Sequence, residues 1–256
     1  MSKFISNPNM GPGMVISGVS IYSNDTTQKL DLGARIQMGD RVFRYAGASS
    51  AANLLAGNLV QAAILGGATT TLQSATLVNA VTVAGAKSVT LTGITTAQAA
   101  DLYAGGYAGI WDSTDDSVYT LRVKTHTALT TVAGACTVQF YDEIPIALAT
   151  TDRVALTSNL YKNIITVPTT TNTGVILGAP LVGITLSCFG FIQTWGPCGI
   201  MINDGNITAG TRLAPAATTA GNVADEGTSG ILGTIGIATA TWLDETAGIV
   251  YLRCAP

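Results

Sequence analysis

An all-β fold is what these 256 residues predict: a β-sandwich, barrel or jelly-roll-like module with an extended N-terminal arm and one or two short helices. Three observations carry the prediction. Short runs of β-branched and aromatic residues recur along the chain, among them RVFRYAG (41–47), SVTLTGI (88–94), SVYTLRVKT (117–125), CTVQFY (136–141), RVALTS (153–158) and NIITVP (163–168). Thr, Ser, Gly or Asn brackets nearly all of them, so turn signals arrive about every ten residues, the spacing of sandwiches and barrels. No long 3.6-residue periodicity competes with this pattern.

In chain order, residues 1–30 come first, rich in Asn, Ser, Gly and Pro, with isolated apolar anchors at Phe4, Ile5, Met14 and Val15. A stretch so poor in apolar residues cannot fold alone. It reads either as a loose terminus or as an arm that orders on a neighbouring subunit. Residues 31–165 form a first β unit. A Pro, a Thr-rich stretch and a Gly in ITVPTTTNTGVILG (165–178) mark a loop or linker near residue 165, and residues 166–256 form a second unit, unless the two make one continuous β domain. The better helix candidate is TTAQAADLYA (95–104), capped by Thr95 or Thr96 and ending before Gly105; SSAANLLAG (49–57) is a weaker one.

Three stretches share an Ala-Gly step between apolar positions: NLLAGNLVQA (53–62), DLYAGGYAGI (101–110) and NITAGTRLAP (206–215). None has the multiple glycines opening a helix, with a Lys nearby, that a phosphate cradle needs. Gly57, Gly105 and Gly210 are therefore read as turn residues that take the positive φ other residues resist.

Charge bounds the partners. Only 11 % of residues are charged, against roughly 25 % in a typical soluble domain, while 47 % are hydrophobic. Such a chain covers its surface with Thr, Ser and Asn or buries it against another protein. Net charge is −3 and the 12 basic residues form no run, so nucleic acid is not expected as a partner. Residues 45–86 and 163–203 carry no charge at all, yet four glycines and a proline break GVILGAPLVGITLSCFGFI (174–192), within the second, into short runs, so no membrane span is expected. The N-terminus lacks the unbroken apolar core of a secretory leader.

The chemistry-bearing residues are sparse. Cys136, Cys188, Cys198 and Cys254 have no C-x-x-C spacing, and His126 is the single histidine, so neither a zinc site nor a Ser-His-Asp triad is indicated. Cys198, framed by glycines and a proline in TWGPCGIM (194–201), reads as a packed thiol in a turn. The acidic run WDSTDDSVY (111–119) matches no calcium loop, and the pairs Asp142-Glu143, Asp225-Glu226 and Asp244-Glu245 read as solvated loop acids. Trp111, Trp195 and Trp242 read as packing residues first and as a sugar platform second. No catalytic residue, cofactor or metal is expected.

Five stretches, in order, resemble a group of virion proteins from tailed bacteriophages: GDRVFRYAGASSAANLLAGNLVQAA (39–63), ADLYAGGYAGIWDSTDDSVYTLRVKTH (100–126), VQFYDEIPIALATTDRVALTSNLYKNII (138–165), FGFIQTWGPCGIMINDGNITAGTRLAP (189–215) and GTIGIATATWLDETAGIVYLRC (233–254). The likeness is a pattern of strands and glycines spread over most of residues 30–254, not an invariant catalytic motif. It implies a capsid decoration, or cement, protein made in the host cytoplasm. Such a protein sits on the outer surface of the capsid and bridges copies of the major capsid protein, as a homotrimer. The alternative from another class is a virion adhesin, such as a head fibre or a tail-tip glycan-binding protein. A polysaccharide depolymerase needs two carboxylates from different pairs in one cleft, and a major capsid protein needs a long spine helix that the sequence does not offer.

Overall fold

The computed structural model describes residues 15–16, 19–63, 76–93, 97–128, 134–170, 173–203, 206–229, 233–244 and 246–255. It is all-β, and it divides into two compact units, one formed by residues 1–63 with 160–256 and the other by residues 64–159. The second unit is thus an insertion in the first.

The first unit begins with β1 (Val15–Ile16), β2 (Val19–Ser20), β3 (Asn24–Asp25), β4 (Arg35–Met38), β5 (Arg41–Gly47) and β6 (Val60–Gln61). The inserted unit holds β7 (Thr76–Val78), β8 (Ser88–Thr92), β9 (Tyr107–Asp112), β10 (Ser117–His126), β11 (Cys136–Phe140) and β12 (Arg153–Thr157). The chain then returns to the first unit with β13 (Ile165–Thr166), β14 (Ile176–Pro180), β15 (Phe189–Met201), β16 (Arg212–Pro215) and β17 (Val223–Asp225). The four-residue helix α1 (Glu226–Ser229), β18 (Gly236–Ala238) and β19 (Ala247–Arg253) complete it.

The inserted unit is a closed antiparallel barrel in the order β10-β11-β8-β7-β12-β9, with β9 pairing back to β10. Closure leaves no sheet edge unpaired. Strict alternation builds it: Ala108 and Ile110 of β9, Val154 and Leu156 of β12, and Val89 and Leu91 of β8 point into one core with Tyr103, Phe140, Ile144 and Leu148.

The first unit pairs β1 with β2 in a small hairpin and otherwise forms one large sheet running β13-β6-β14-β15-β19-β18-β16-β17, with β3 and β5 also on β15 and β4 on β5. The thirteen-residue β15 is its spine: its first half pairs with β5, its second half with β19. The register slips between Gln193 and Trp195, next to Gly196. There φ is +85°, and a Cβ would lie 2.2 Å from the Asp40 carbonyl oxygen, so only glycine lets the two backbones approach so closely.

Several expectations are corrected. The segment 19–30 is not a free arm: Val19 and Ile21 are buried with Phe43, Tyr45 and Phe191, because their side chains complete that aromatic cluster. Val15 lies in β1, opposite Ser20; Phe4, Ile5 and Met14 lie outside the described residues. The boundary expected near residue 165 falls between residues 159 and 160, and residues 31–63 belong with residues 160–256 rather than with the unit that follows them. Ile165 and Thr166 pair with Gln61 and Val60, so the chain has already rejoined the first unit before the Thr-rich stretch begins. Neither helix candidate is helical where described. At Asp101 φ is +58°, and its carboxylate accepts hydrogen bonds from the Thr125 hydroxyl and the His126 N–H, tertiary bonds that replace helical ones. In 49–57, Leu54 exchanges both backbone hydrogen bonds with Ile184.

Candidate functional site

The turn glycines behave as their setting requires, with φ of 74° at Gly57, 75° at Gly105 and 86° at Gly210. Their amides are spent on the fold, donating to the carbonyls of Pro180, Val123 and Ala238 respectively. They form connections, with no shared cradle for an anion.

His126 is buried at the end of β10 with both ring nitrogens engaged. Nδ1 lies 2.9 Å from the Thr127 carbonyl oxygen and so carries the proton, while Nε2 accepts the Tyr103 N–H at 3.1 Å. The Cys136 thiol sits 3.8 Å from Nδ1 but donates to the same Thr127 oxygen, and burial raises its pKa. A protonated nitrogen facing a neutral thiol is no nucleophile-base pair. Cys198 lies within β15 rather than in a turn. Burial first, and the nearby Cys254 second, push its pKa up to about 12, and burial does the same to Cys254. Both remain neutral, unreactive thiols.

The acidic run is a structural turn. Asp112 Oδ1 accepts the amides of Thr114 (2.8 Å) and Asp115 (3.4 Å). Asp152, also buried, accepts the Ser113 amide at 2.9 Å, the Ser113 hydroxyl at 2.8 Å and the Ala149 amide at 2.8 Å. Burial raises its pKa, but these hydrogen bonds outweigh that and hold it below 3.8. Glu143 is exposed and lies 3.8 Å from Lys87; Asp225 caps the Gly227 amide at 2.8 Å. Among the described residues no three His, Cys, Asp or Glu side chains converge on a metal-sized site.

The three tryptophans take three different roles. Trp242 packs against the core of the large sheet. Trp195 lies on the outward side of β15, edge-on to Tyr251 with ring centres 6.1 Å apart. Trp111 is 39 % exposed on the barrel, its Nε1 donating to Asp116 Oδ1 at 3.2 Å. A cavity of about 190 Å³ in the first unit is lined by Leu32, Gly47 and Phe189 together with Lys162, Asn163 and Ser187, among others. Asn163 and Ser187 hold φ of 55° and 58° there, yet the lining has no carboxylate, imidazole or thiol to do acid-base or nucleophilic work.

The feature that sequence reading missed is the outer face of the large sheet. Cys198, Ile200, Val250 and Leu252 alternate inward, so Trp195, Pro197, Ile249 and Tyr251 turn outward. Register extends the outward set sideways: Pro197 pairs with Tyr251, Tyr251 with Ile237, and Ile237 with Arg212. Ile249 is 44 % exposed and the others are half-buried, except Arg212, which is exposed. The signal was present as strict alternation in GIVYLRC, but both of its faces are apolar, and only the register reveals which one the core leaves uncovered.

The chain matches no known family model, no curated protein and no solved structure. Among the described residues no helix is long and apolar enough to cross a membrane.

Proposed function

We propose that this chain is a non-enzymatic assembly protein that works by burying surface, and specifically a capsid decoration protein of a tailed phage. In this reading it binds the outer shell, bridges copies of the major capsid protein and self-associates as a homotrimer. One observation carries the surface-burying role: the outward apolar row Pro197–Tyr251–Ile237, flanked by Trp195 and Ile249, on the face of the sheet opposite its core. Apolar side chains arranged on a rigid β surface gain free energy when a partner covers them. Repetition around a closed shell then makes modest single contacts effective by mass action. The phage assignment itself rests on the likeness of the five stretches in residues 39–254.

The test uses purified protein and emptied shells of the cognate phage. Light scattering is expected to give a trimer, and the trimer to co-sediment with shells and raise their disruption temperature. Ile249→Asp, placing a charge on the outward row, is expected to abolish co-sedimentation while leaving the thermal melt within a few degrees. A monomer that ignores shells overturns the proposal.

A further inference from the structure

The outer wall of the barrel carries an arrangement that neither its core nor its turns require. Along β9 the outward residues are Tyr107, Gly109 and Trp111. Tyr107 is 54 % exposed and Trp111 39 %. At about 3.4 Å per residue, their backbone positions lie about 14 Å apart. Between them only small side chains flank the gap: Gly109 pairs with Ala155 of β12 on one side and Thr120 of β10 on the other, while the exposed Val118 of β10 stands opposite Trp111.

Gly109 is the unexplained residue. Its φ is not left-handed, and a Cβ there meets no atom within 4 Å. Glycine inside a strand weakens it by conformational entropy, and where the fold does not demand it, it marks a place that a ligand or another backbone approaches closely. One of the rings beside it is held: Trp111 is tied by its Nε1 to Asp116, itself at φ 51° in the turn.

Charge singles out the occupant. The inserted unit, residues 64–159, has four basic residues: Lys87, Arg122, Lys124 and Arg153. Three of them flank this trough on the outward positions of β10 and β12: Arg153 opposite Trp111, Arg122 opposite Tyr107, and Lys124 two residues beyond Arg122. Arg122 also lies over the exposed Tyr141 ring at 5.0 Å. The same 96 residues hold seven acids, for a net charge of 4 − 7 = −3, and Asp115 and Asp116 sit at the Trp111 end. A continuous polyphosphate backbone meets repulsion there. A sugar chain does not, because carboxylates accept its hydroxyl protons, aromatic faces stack on its rings, and guanidinium groups grip isolated carboxylates bidentately.

We infer that the outer face of β9, β10 and β12 is a binding site for a short acidic oligosaccharide, stacked on Trp111 and Tyr107 across Gly109 and held by Arg153 and Arg122. The site is confined to the barrel and holds whether or not the chain coats a shell.

The experiment is calorimetric titration of the full chain with trigalacturonate, with maltotriose and with a (dT)6 oligonucleotide. Trigalacturonate is expected to bind, more tightly than the neutral trisaccharide or the oligonucleotide. Gly109→Val fills the trough with a residue that suits a strand, so it is expected to leave the thermal melt unchanged and weaken trigalacturonate at least tenfold. Trp111→Ala is expected to do the same through lost stacking, and Arg153→Gln to erase the preference for the acidic over the neutral sugar. If (dT)6 binds more tightly than trigalacturonate, the face is a polyanion site and the inference fails. It fails equally if trigalacturonate does not bind at millimolar concentration, or binds Gly109→Val and Trp111→Ala as it binds the parent.

Discussion

Gly196 and Gly210 both hold left-handed backbone, but for different reasons. At Gly210 nothing lies within 4 Å of a Cβ, so Gly210→Ala meets only the φ penalty of about 1–2 kcal/mol. At Gly196 the same penalty is joined by a carbonyl oxygen 2.2 Å away, so Gly196→Ala must also displace β5 from β15. Urea denaturation is expected to show a loss of about 1 kcal/mol for the first and more than about 3 kcal/mol for the second. Asp152 gives the pH counterpart. Its folded pKa lies below the ordinary 3.8, so the unfolded chain takes up the proton more readily. The stability this contributes is fully present above pH about 4 and is lost as pH falls through the folded value. Asp152→Asn is expected to lower stability at pH 7 by roughly 2 kcal/mol and to flatten the acid limb of a melt-versus-pH curve between pH 5 and 3. An acid limb unchanged in slope would show that the Ser113 and Ala149 amides do not set this carboxyl.

At the scale of elements, strands were legible wherever alternation was strong. RVFRYAG, SVTLT, CTVQF and RVALT are β5, β8, β11 and β12, with bounds close to those of the runs themselves. What the sequence hid was everything decided by long-range pairing. The stretch 95–104 has the composition of a helix, but its Asp101 exchanges hydrogen bonds with His126 of β10, and the Thr-rich stretch looked like a linker because β13's pairing with β6 spans about a hundred residues. The turn glycines were readable because positive φ is a local demand. The barrel trough was not, since Gly109 looks like any other turn former until Tyr107 and Trp111 are seen on the same side of β9. Pairing between β5 and β15 holds Tyr45 and Phe191 edge-to-face with centroids 5.2 Å apart, and both are buried. Phe191→Ala is expected to remove about 3–5 kcal/mol, more than any outward substitution on the same strand. Trp195→Ala, half-exposed, is expected to lose less than half as much in the same denaturation assay.

For the whole molecule, the connectivity sets the order of dependence. The chain leaves the first unit after Ala63 and re-enters it at Leu160, and just beyond both crossings Val60–Gln61 and Ile165–Thr166 are hydrogen-bonded neighbours. The large sheet therefore holds the two crossing strands side by side through its own pairing. The barrel, for its part, closes its hydrogen bonding on itself and buries Tyr103, Phe140, Ile144 and Leu148 in a core drawn from its own strands and connections. One cluster in the barrel and three in the first unit, none shared between them, make two cooperative units. Replacing residues 64–159 by a short Gly-Ser linker is accordingly expected to leave the first unit folded, with a single cooperative melt and the β-type far-ultraviolet spectrum retained. The reverse excision, residues 64–159 expressed alone, is expected to melt cooperatively and to keep the oligosaccharide site of β9, β10 and β12. If the linker variant loses cooperative melting, β6 and β13 depend on the barrel for their register, and the inserted unit is part of the folding nucleus rather than cargo carried by the sheet.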